Sequence, residues 1–405
     1  MPNMDEYQRA IDSLPDNIFD TLIVGAGPAG ATAALRLAGL GHRVLLLDRE
    51  QFPREKICGD GLISDTIRCL QRAGLIDTVR KAGHGVSEVK IFSPSRVELT
   101  VKGDFVTLKR RSLDTLITQK AVSDGALFYR GKVKDVDIEP DGTVSATLAY
   151  SDRKVRARVG VLATGVRLDL LHKHGMVRKP RPDAVAMRCY VNSTYELRQM
   201  LVSFDRSIAP GYAWIFPLGG GEYNLGCGFS YRFKKKKTPS LHEVFRRFTE
   251  QFPIARDLMS KAKTISPLRG ATLREGLCGI SPRGPGNLLA VGETIATTYQ
   301  LIGEGIGKAM ESGEIAAEVV HEAIESNDFS RLSLYPKQLR EKLGPRYQGY
   351  KIGERWVARP WLSDFLARRV QKSKFMQDSV ADILTEAIDP RTLFSFRGIY
   401  RSFFH

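Results

Sequence analysis

Three glycines, Gly25, Gly27 and Gly30, stand at G-x-G-x-x-G spacing, and an acid, Asp48, follows them. Those residue types at that spacing suit the gripping of a dinucleotide. The first glycine permits a tight turn, the second lets a pyrophosphate approach the backbone, and the third lets the next helix pack closely on its strand. Pro28 and Ala29 open that helix, whose free N–H groups and positive dipole end would face the phosphates. Asp48 falls about twenty residues on, where a ribose diol is usually held, and Arg49 follows it. The motif does not separate FAD from NAD, and a glycine-rich turn without a ligand is the plain alternative.

Three further groups of residues have chemical potential. The run R-E-Q-F-P-R-E-K-I-C-G-D-G-L at 49–62 reads as a loop. Folded back, it would bring Arg54 and Lys56 to the phosphates and the backbone of Gly59-Asp60-Gly61 to a flat ring. Cys58 is then a pocket candidate, although a buried structural cysteine is the commoner fate. In P-G-Y-A-W-I-F-P, Tyr212, Trp214 and Phe216 alternate ahead of Pro217, so the three rings point to one face. Such a stripe is usually core. Glycines on the partner strand would leave room beside it for an apolar ligand. Gly303, Gly305 and Gly307 precede and enter a helix whose opening N–H groups could face the N1/C2 carbonyl edge of a flavin.

The elements that must position these groups follow from periodicity. Apolar strands are predicted at 22–24 and 44–47, buried on both faces, with a helix over 28–40 between them. Helices are predicted at 64–73 and 75–81, strands at 86–92 and 97–101, and a helix from 108 with Ser112 as N-cap. Short strands at 126–129, 133–138, 143–150 and 154–159 follow, with Asp141-Gly142 as a hairpin turn. An apolar strand then ends in A-T-G at Ala163-Thr164-Gly165. The segments 185–191, 210–217 and 222–229 read as part of an antiparallel sheet, followed by a helix at 241–252. A strand at 287–291 leads to Gly292-Glu293 and a long helix reaching about 323. Residues 1–18 read as a helix or an arm, and Lys234 with residues 235–237 as a solvated loop.

Composition narrows the function classes. With 405 residues, 42% hydrophobic and 26% charged, the chain has globular proportions and length for one large or two interleaved domains. No apolar run reaches the 18 or so residues of a membrane span, and residues 1–18 are too polar and acidic for a signal peptide. Five scattered cysteines without C-x-x-C predict reduced thiols in a cytoplasmic setting, with no structural metal or disulfide framework. The net charge of +16 fits an anionic membrane surface or a phosphorylated substrate; no nucleic-acid motif is present, so no nucleic-acid partner is expected. Residues 331–405 carry 15 Lys and Arg against 7 Asp and Glu, an excess of 8. Residues 393–404 mix aromatics with arginines, a composition suited to a membrane interface. A protein peripheral on the membrane is expected; a basic helical cap is the alternative.

Together these motifs resemble the geranylgeranyl reductase family of FAD-dependent oxidoreductases, within the flavin fold shared with aromatic hydroxylases. The likeness runs from Asp20 to about Glu325. It rests on the glycine motif, K-x-C-G-x-G-L at 56–62, Arg110 four residues before Asp114, Y-x-W-x-F-P at 212–217, and G-E-G-I with A-M-x-S-G at 303–313. The resemblance implies an α/β fold. A Rossmann-like FAD domain would span 1–82, 109–182 and 287–330, an interleaved antiparallel-sheet substrate domain 83–108 and 183–286, and a helical region 331–405. It implies FAD contacts at Asp48, Lys56, Arg110, Val133, Thr164, Gly165, Gly292 and Glu293, with Gly303, Gly305 and Ile306 near the isoalloxazine. Tyr212, Trp214, Phe216 and Pro217 would line the substrate cavity, bordered by Cys58 and Gly59. Cys58, Tyr212 and Trp214 become the candidate catalytic residues, with Cys58, Tyr212 and ordered water as alternatives for the proton donor. The implied reaction saturates C=C bonds of a prenyl chain, with NADPH or ferredoxin as electron donor. The chain departs from the family at Glu293, where Asp is usual, and at Gln300, where Pro is favoured. The rival readings are a monooxygenase or halogenase on the same fold, and a degenerate flavoprotein without activity.

Overall fold

The structure, a computed structural model, describes residue 4, residues 6–150, 153–234 and 238–384, and residue 391. Residues 235–237 and the aromatic and basic run 393–404 lie outside the described residues. The chain begins with strands β1 (Gln8–Ala10) and β2 (Ile18–Val24), helix α1 (Pro28–Gly39), β3 (Val44–Asp48), β4 (Gly61–Leu62), α2 (Ser64–Arg72) and α3 (Ile76–Ala82). It continues through β5 (His84–Phe92), β6 (Glu98–Thr107), α4 (Arg110–Ser123), β7 (Leu127–Arg130), β8 (Val133–Ile138), β9 (Val144–Leu148), β10 (Lys154–Leu162) and α5 (Asp169–His172). Then come β11 (Ala184–Ser193), β12 (Met200–Ser203), β13 (Tyr212–Gly219), β14 (Glu222–Ser230), α6 (Leu241–Gln251), α7 (Pro253–Ser260), β15 (Ala262–Ile265), β16 (Arg269–Leu273) and β17 (Leu288–Ala290). The last helices are α8 (Ile306–Glu325), α9 (Tyr335–Val357), α10 (Pro360–Lys372) and α11 (Lys374–Leu384).

Two sheets organise the molecule. The first has the order β1-β7-β3-β2-β10-β9-β8, with β17 beside β10. Its centre is parallel, and β3 is buried along its whole length, with α1 packed on it. The second runs β15-β11-β14-β13-β12-β5-β6-β4, with β16 beside β11, and is antiparallel except where β12 meets β5. β4 joins this second sheet, so the loop after Asp48 ties the two layers together. Gly313 on α8 lies so close to α1 that a Cβ there would sit 2.3 Å from the Ala29 carbonyl oxygen. α9 packs beneath the first sheet through Tyr335, which donates to the Ala290 carbonyl at 3.1 Å.

Three expectations change. Where a helix or an arm was expected before β2, Gln8–Ala10 form an edge strand followed by a single 3-10 turn at Ile11–Ser13: β1 pairs with β7, and Gln8 bonds Glu50 O and Phe52 N, each at 2.8 Å. Ser112 is not the N-cap of α4, which starts two residues earlier with no side-chain cap of its own. The Arg110 N–H instead donates to Asp60 at 3.1 Å, a cap supplied from a distant loop. The strand expected at 97–101 runs on to Thr107. The hairpin at Asp141-Gly142 forms, with Gly142 at φ +84° and Asp141 accepting from Thr143 N at 2.9 Å.

Candidate active site

The glycine motif divides its labour. Gly25 has φ +109°, and a Cβ there would stand 2.2 Å from Ala163 O, so β2 and β10 end in close contact. A Cβ on Gly30 would stand 1.9 Å from Gly25 O. At Gly27 the nearest atom is Arg54 Nη2 at 3.7 Å, and the position faces an open cavity. α1 begins here with no side-chain cap and no acid in its first turn, leaving its N–H groups for an anion. Asp48 is buried at the same cavity, accepting from Ala26 N at 2.8 Å and Glu50 N at 3.0 Å. Arg54 and Arg110 share the fully buried Asp114: Arg54 Nη2 lies at 3.0 Å, and Arg110 is bidentate at 2.7 and 2.8 Å. Both guanidiniums are thereby aimed before any ligand arrives.

On the ring side, the loop Cys58–Gly61 is held by Asn224 of β14. Its Nδ2 donates to Cys58 O and Asp60 Oδ2, both at 2.8 Å, while its Oδ1 accepts from Trp214 Nε1 at 2.9 Å. Asp60 is fully buried at φ +64° and also accepts from Tyr190 OH at 2.8 Å. Burial pushes the Asp60 carboxyl up, against the hydrogen bonds of Tyr190 and Asn224. Burial, with Asp60 adding, raises the Cys58 thiol, so it is protonated at neutral pH. Burial likewise raises the Tyr212 phenol, next to the loop before α8, where a Cβ on Gly303 would meet its oxygen at 2.5 Å.

Tyr212, Trp214 and Phe216 form one wall, with ring centroids 5.9 and 6.4 Å apart. Gly226 stands opposite Trp214 in the sheet, and a Cβ there would be 2.2 Å from the indole. The bare backbone is therefore what lets the ring lie flat. Next to this wall an apolar arm is lined by Val89, Ile91, Phe105, Met200, Val202 and Phe204. Cradle, ring side and apolar arm are one cavity of about 920 Å³.

The cavity brings together most of the expected site: Gly25, Gly27, Pro28, Ala29, Asp48, Arg49, Lys56, Cys58, Gly59, Arg110, Val133, Thr164, Gly165, Gly292, Glu293, Gly303, Gly305, Ile306, and the three aromatic residues. Two do not line it. Gly30 is enclosed by Gly25 and Ala163, a packing position. Pro217 falls on the opposite face by strand alternation, where its carbonyl accepts from Thr107. Glu293 reaches the cavity with Oε2 3.7 Å from Lys56 Nζ and a buried Oε1 that has no partner. An oxygen so placed suits a hydroxyl donor such as a ribitol, so the longer acid fits the cofactor. With its amide oxygen turned inward, Gln300 accepts from Arg232.

Sequence reasoning passed over Asn224, Tyr190 and Arg188. Arg188 is buried, with its guanidinium 4.0 Å from the Tyr190 ring centroid. Only an Asn opposite an aromatic strand hinted at Asn224. Outside the cavity, His42, His321 and Glu325 bring three potential ligand atoms within 4.8 Å of one another, although no metal site was expected.

An FAD binding domain family matches residues 19–168. Menaquinone reductase of Mycobacterium tuberculosis strain H37Rv is 31% identical over 84% of this chain and 83% of its own. Digeranylgeranylglycerophospholipid reductase 2 of Methanopyrus kandleri is 28% identical over 82% and 84%. A geranylgeranyl bacteriochlorophyll reductase-like structure from Thermoplasma acidophilum superposes with TM-score 0.76 at 24% identity, covering 95% and 96%. A flavin-dependent brominase superposes equally well, TM-score 0.76 over 96% and 98%, but at 20% identity it shares the fold alone. A glycine cradle opening onto an aromatic wall, in a chain this similar to prenyl-lipid and quinone reductases, places the protein in the geranylgeranyl reductase family of FAD-dependent oxidoreductases.

Proposed function

We propose that this protein saturates isolated C=C bonds in an isoprenoid chain carried by a diphosphate, a glycerophospholipid or a quinone. The observation that carries the reading is the single cavity in which the dinucleotide cradle runs into an apolar arm beside Tyr212, Trp214 and Phe216. When bound in its two-electron-reduced form, FAD would supply the hydride for one alkene carbon and be left oxidised. The alkene is unactivated, so placement must do much of the work. The aromatic wall, Met200 and Phe105 would hold the chain and exclude water. Cys58 and Tyr212 both keep their protons at neutral pH and stand as alternatives, with water, for delivery to the second carbon. Electrons would come from NADPH or a ferredoxin. The names of the relatives favour a prenyl quinone or a digeranylgeranyl lipid within this class.

The test is anaerobic incubation of the reduced protein with a panel of prenyl diphosphates, lipids and quinones, read by mass for the gain of two hydrogens per bond. Gain on at least one prenyl compound is expected; no gain across the panel overturns the reading. Trp214→Ala should lower that turnover by about tenfold or more while FAD stays bound.

A further inference from the structure

In the apolar arm Val89, Phe105 and Met200 are buried, while Ile91, Val202 and Phe204 along one edge are half-buried. Ile91 and Val202 are register partners on β5 and β12. Just past them the chain makes a turn at Ser93–Ser95 and passes through Arg206. One carboxylate from the C-terminal helices grips both places. Asp364 of α10 is buried and accepts from Ser93 Oγ at 2.7 Å, Ser95 N at 2.8 Å, Ser95 Oγ at 2.6 Å and Arg206 Nη2 at 3.0 Å. Gln371, near the other end of α10, donates to Glu98 O at 2.8 Å. α10 is therefore fixed beside this half-buried edge of the arm.

Its inner face is Ser363, Asp364, Ala367 and Val370, all buried. Its outer face carries Trp361, 67% exposed, and Phe365, 39% exposed, with the exposed Arg368 and Lys372 in line. The spacings of four, three and four residues put these side chains on one helical stripe. Large aromatics held in water beside cations match the headgroup region of an anionic bilayer, where rings enter the interface and cations meet phosphates.

We propose that the outer face of α10 docks on an anionic lipid bilayer and sets the half-buried edge of the apolar arm toward it, where a prenyl chain enters from the lipid. The proposal rests on the prenyl-reductase reading only for what docking delivers.

The test uses the full-length, FAD-loaded protein and sedimentation with vesicles of phosphatidylcholine alone or mixed with equal phosphatidylglycerol. Binding to the anionic vesicles is expected, weakened by high salt. The pair Trp361→Ala and Phe365→Ala should reduce partitioning about tenfold, and Arg368→Glu with Lys372→Glu by about tenfold or more. Unchanged flavin absorbance and melting temperature establish that each variant is folded. Turnover of a vesicle-embedded prenyl substrate should fall with partitioning, while that of a short, water-soluble prenyl diphosphate holds. Undiminished vesicle binding in the aromatic pair overturns the proposal. So does loss of a dimer in that pair without loss of vesicle binding, which would assign the face to a second copy. If the wild type turns over no prenyl compound, the functional reading fails, while the vesicle measurement still decides the docking.

Discussion

Three glycines in one motif have unlike surroundings, and substitutions should separate them. Gly27 faces open cavity, with only the end of Arg54 in reach of a Cβ. Gly27→Val should leave a folded, colourless protein, because the branched side chain would occupy the place of a pyrophosphate. Flavin absorbance of the purified variant, with its melting curve, checks this; full FAD occupancy would contradict the cradle. Gly25→Ala should fail differently. At φ +109°, with backbone 2.2 Å away, the substitution should lower folded yield itself. At the same scale, Asn224 joins three groups, the Trp214 indole, the Cys58 carbonyl and the Asp60 carboxyl. A buried amide satisfied on both sides fixes the distance between ring-side loop and aromatic wall.

Among the elements, the hairpin β13–β14 decides the shape of the substrate wall. Alternation along β13 puts three rings on one face, and β14 answers with Gly228, Gly226 and Asn224 at the matching register positions. A Cβ at Gly226 would meet Trp214 at 2.2 Å and the Met187 carbonyl at 2.5 Å. The second contact is backbone of β11, so the side chain alone cannot relieve it. Gly226→Ala should cost roughly 2 kcal/mol through overpacking and tilt the indole. Urea unfolding and near-ultraviolet circular dichroism measure the two effects; an unchanged aromatic signal would show that the ring does not depend on the bare backbone.

The whole molecule meets at Glu275. This side chain is buried, lies 3.0 Å from Arg232, and shares Arg232 with Glu354 of α9 at 3.6 Å. Asp183, which accepts from the Glu275 N–H, and Gln300 complete the group. Burial, against the pull of Arg232 and with Glu354 and Asp183 adding, pushes Glu275 from 4.5 up to about 8. The folded protein then holds a proton that the unfolded chain releases near 4.5, so stability falls as pH rises between these values. The slope from this one group is at most about 1.4 kcal/mol per pH unit. Urea midpoints should therefore decline from about pH 5 to pH 8, and Glu275→Gln should flatten the decline. An equal slope in the variant would mean that Glu275 is ionised throughout.

The cradle, the aromatic alternation and the order of helices and strands around them are legible in the sequence, because each depends on a few neighbouring residues. A glycine is needed where φ is positive, and a period of two or 3.6 shows which face is apolar. The edge strand at Gln8–Ala10 and the true start of α4 are not, because their partners are β7 and Asp60, far along the chain. Pro217 looked like part of the aromatic motif, yet the pleat turns it away. The Asn224 bridge, the Glu275 cluster and the position of α10 beside the apolar arm join segments separated by many tens of residues. Side-chain types set what each group can bond. Which groups meet is set by sheet register and by the closing of two layers on each other, and those depend on packing summed over the whole chain.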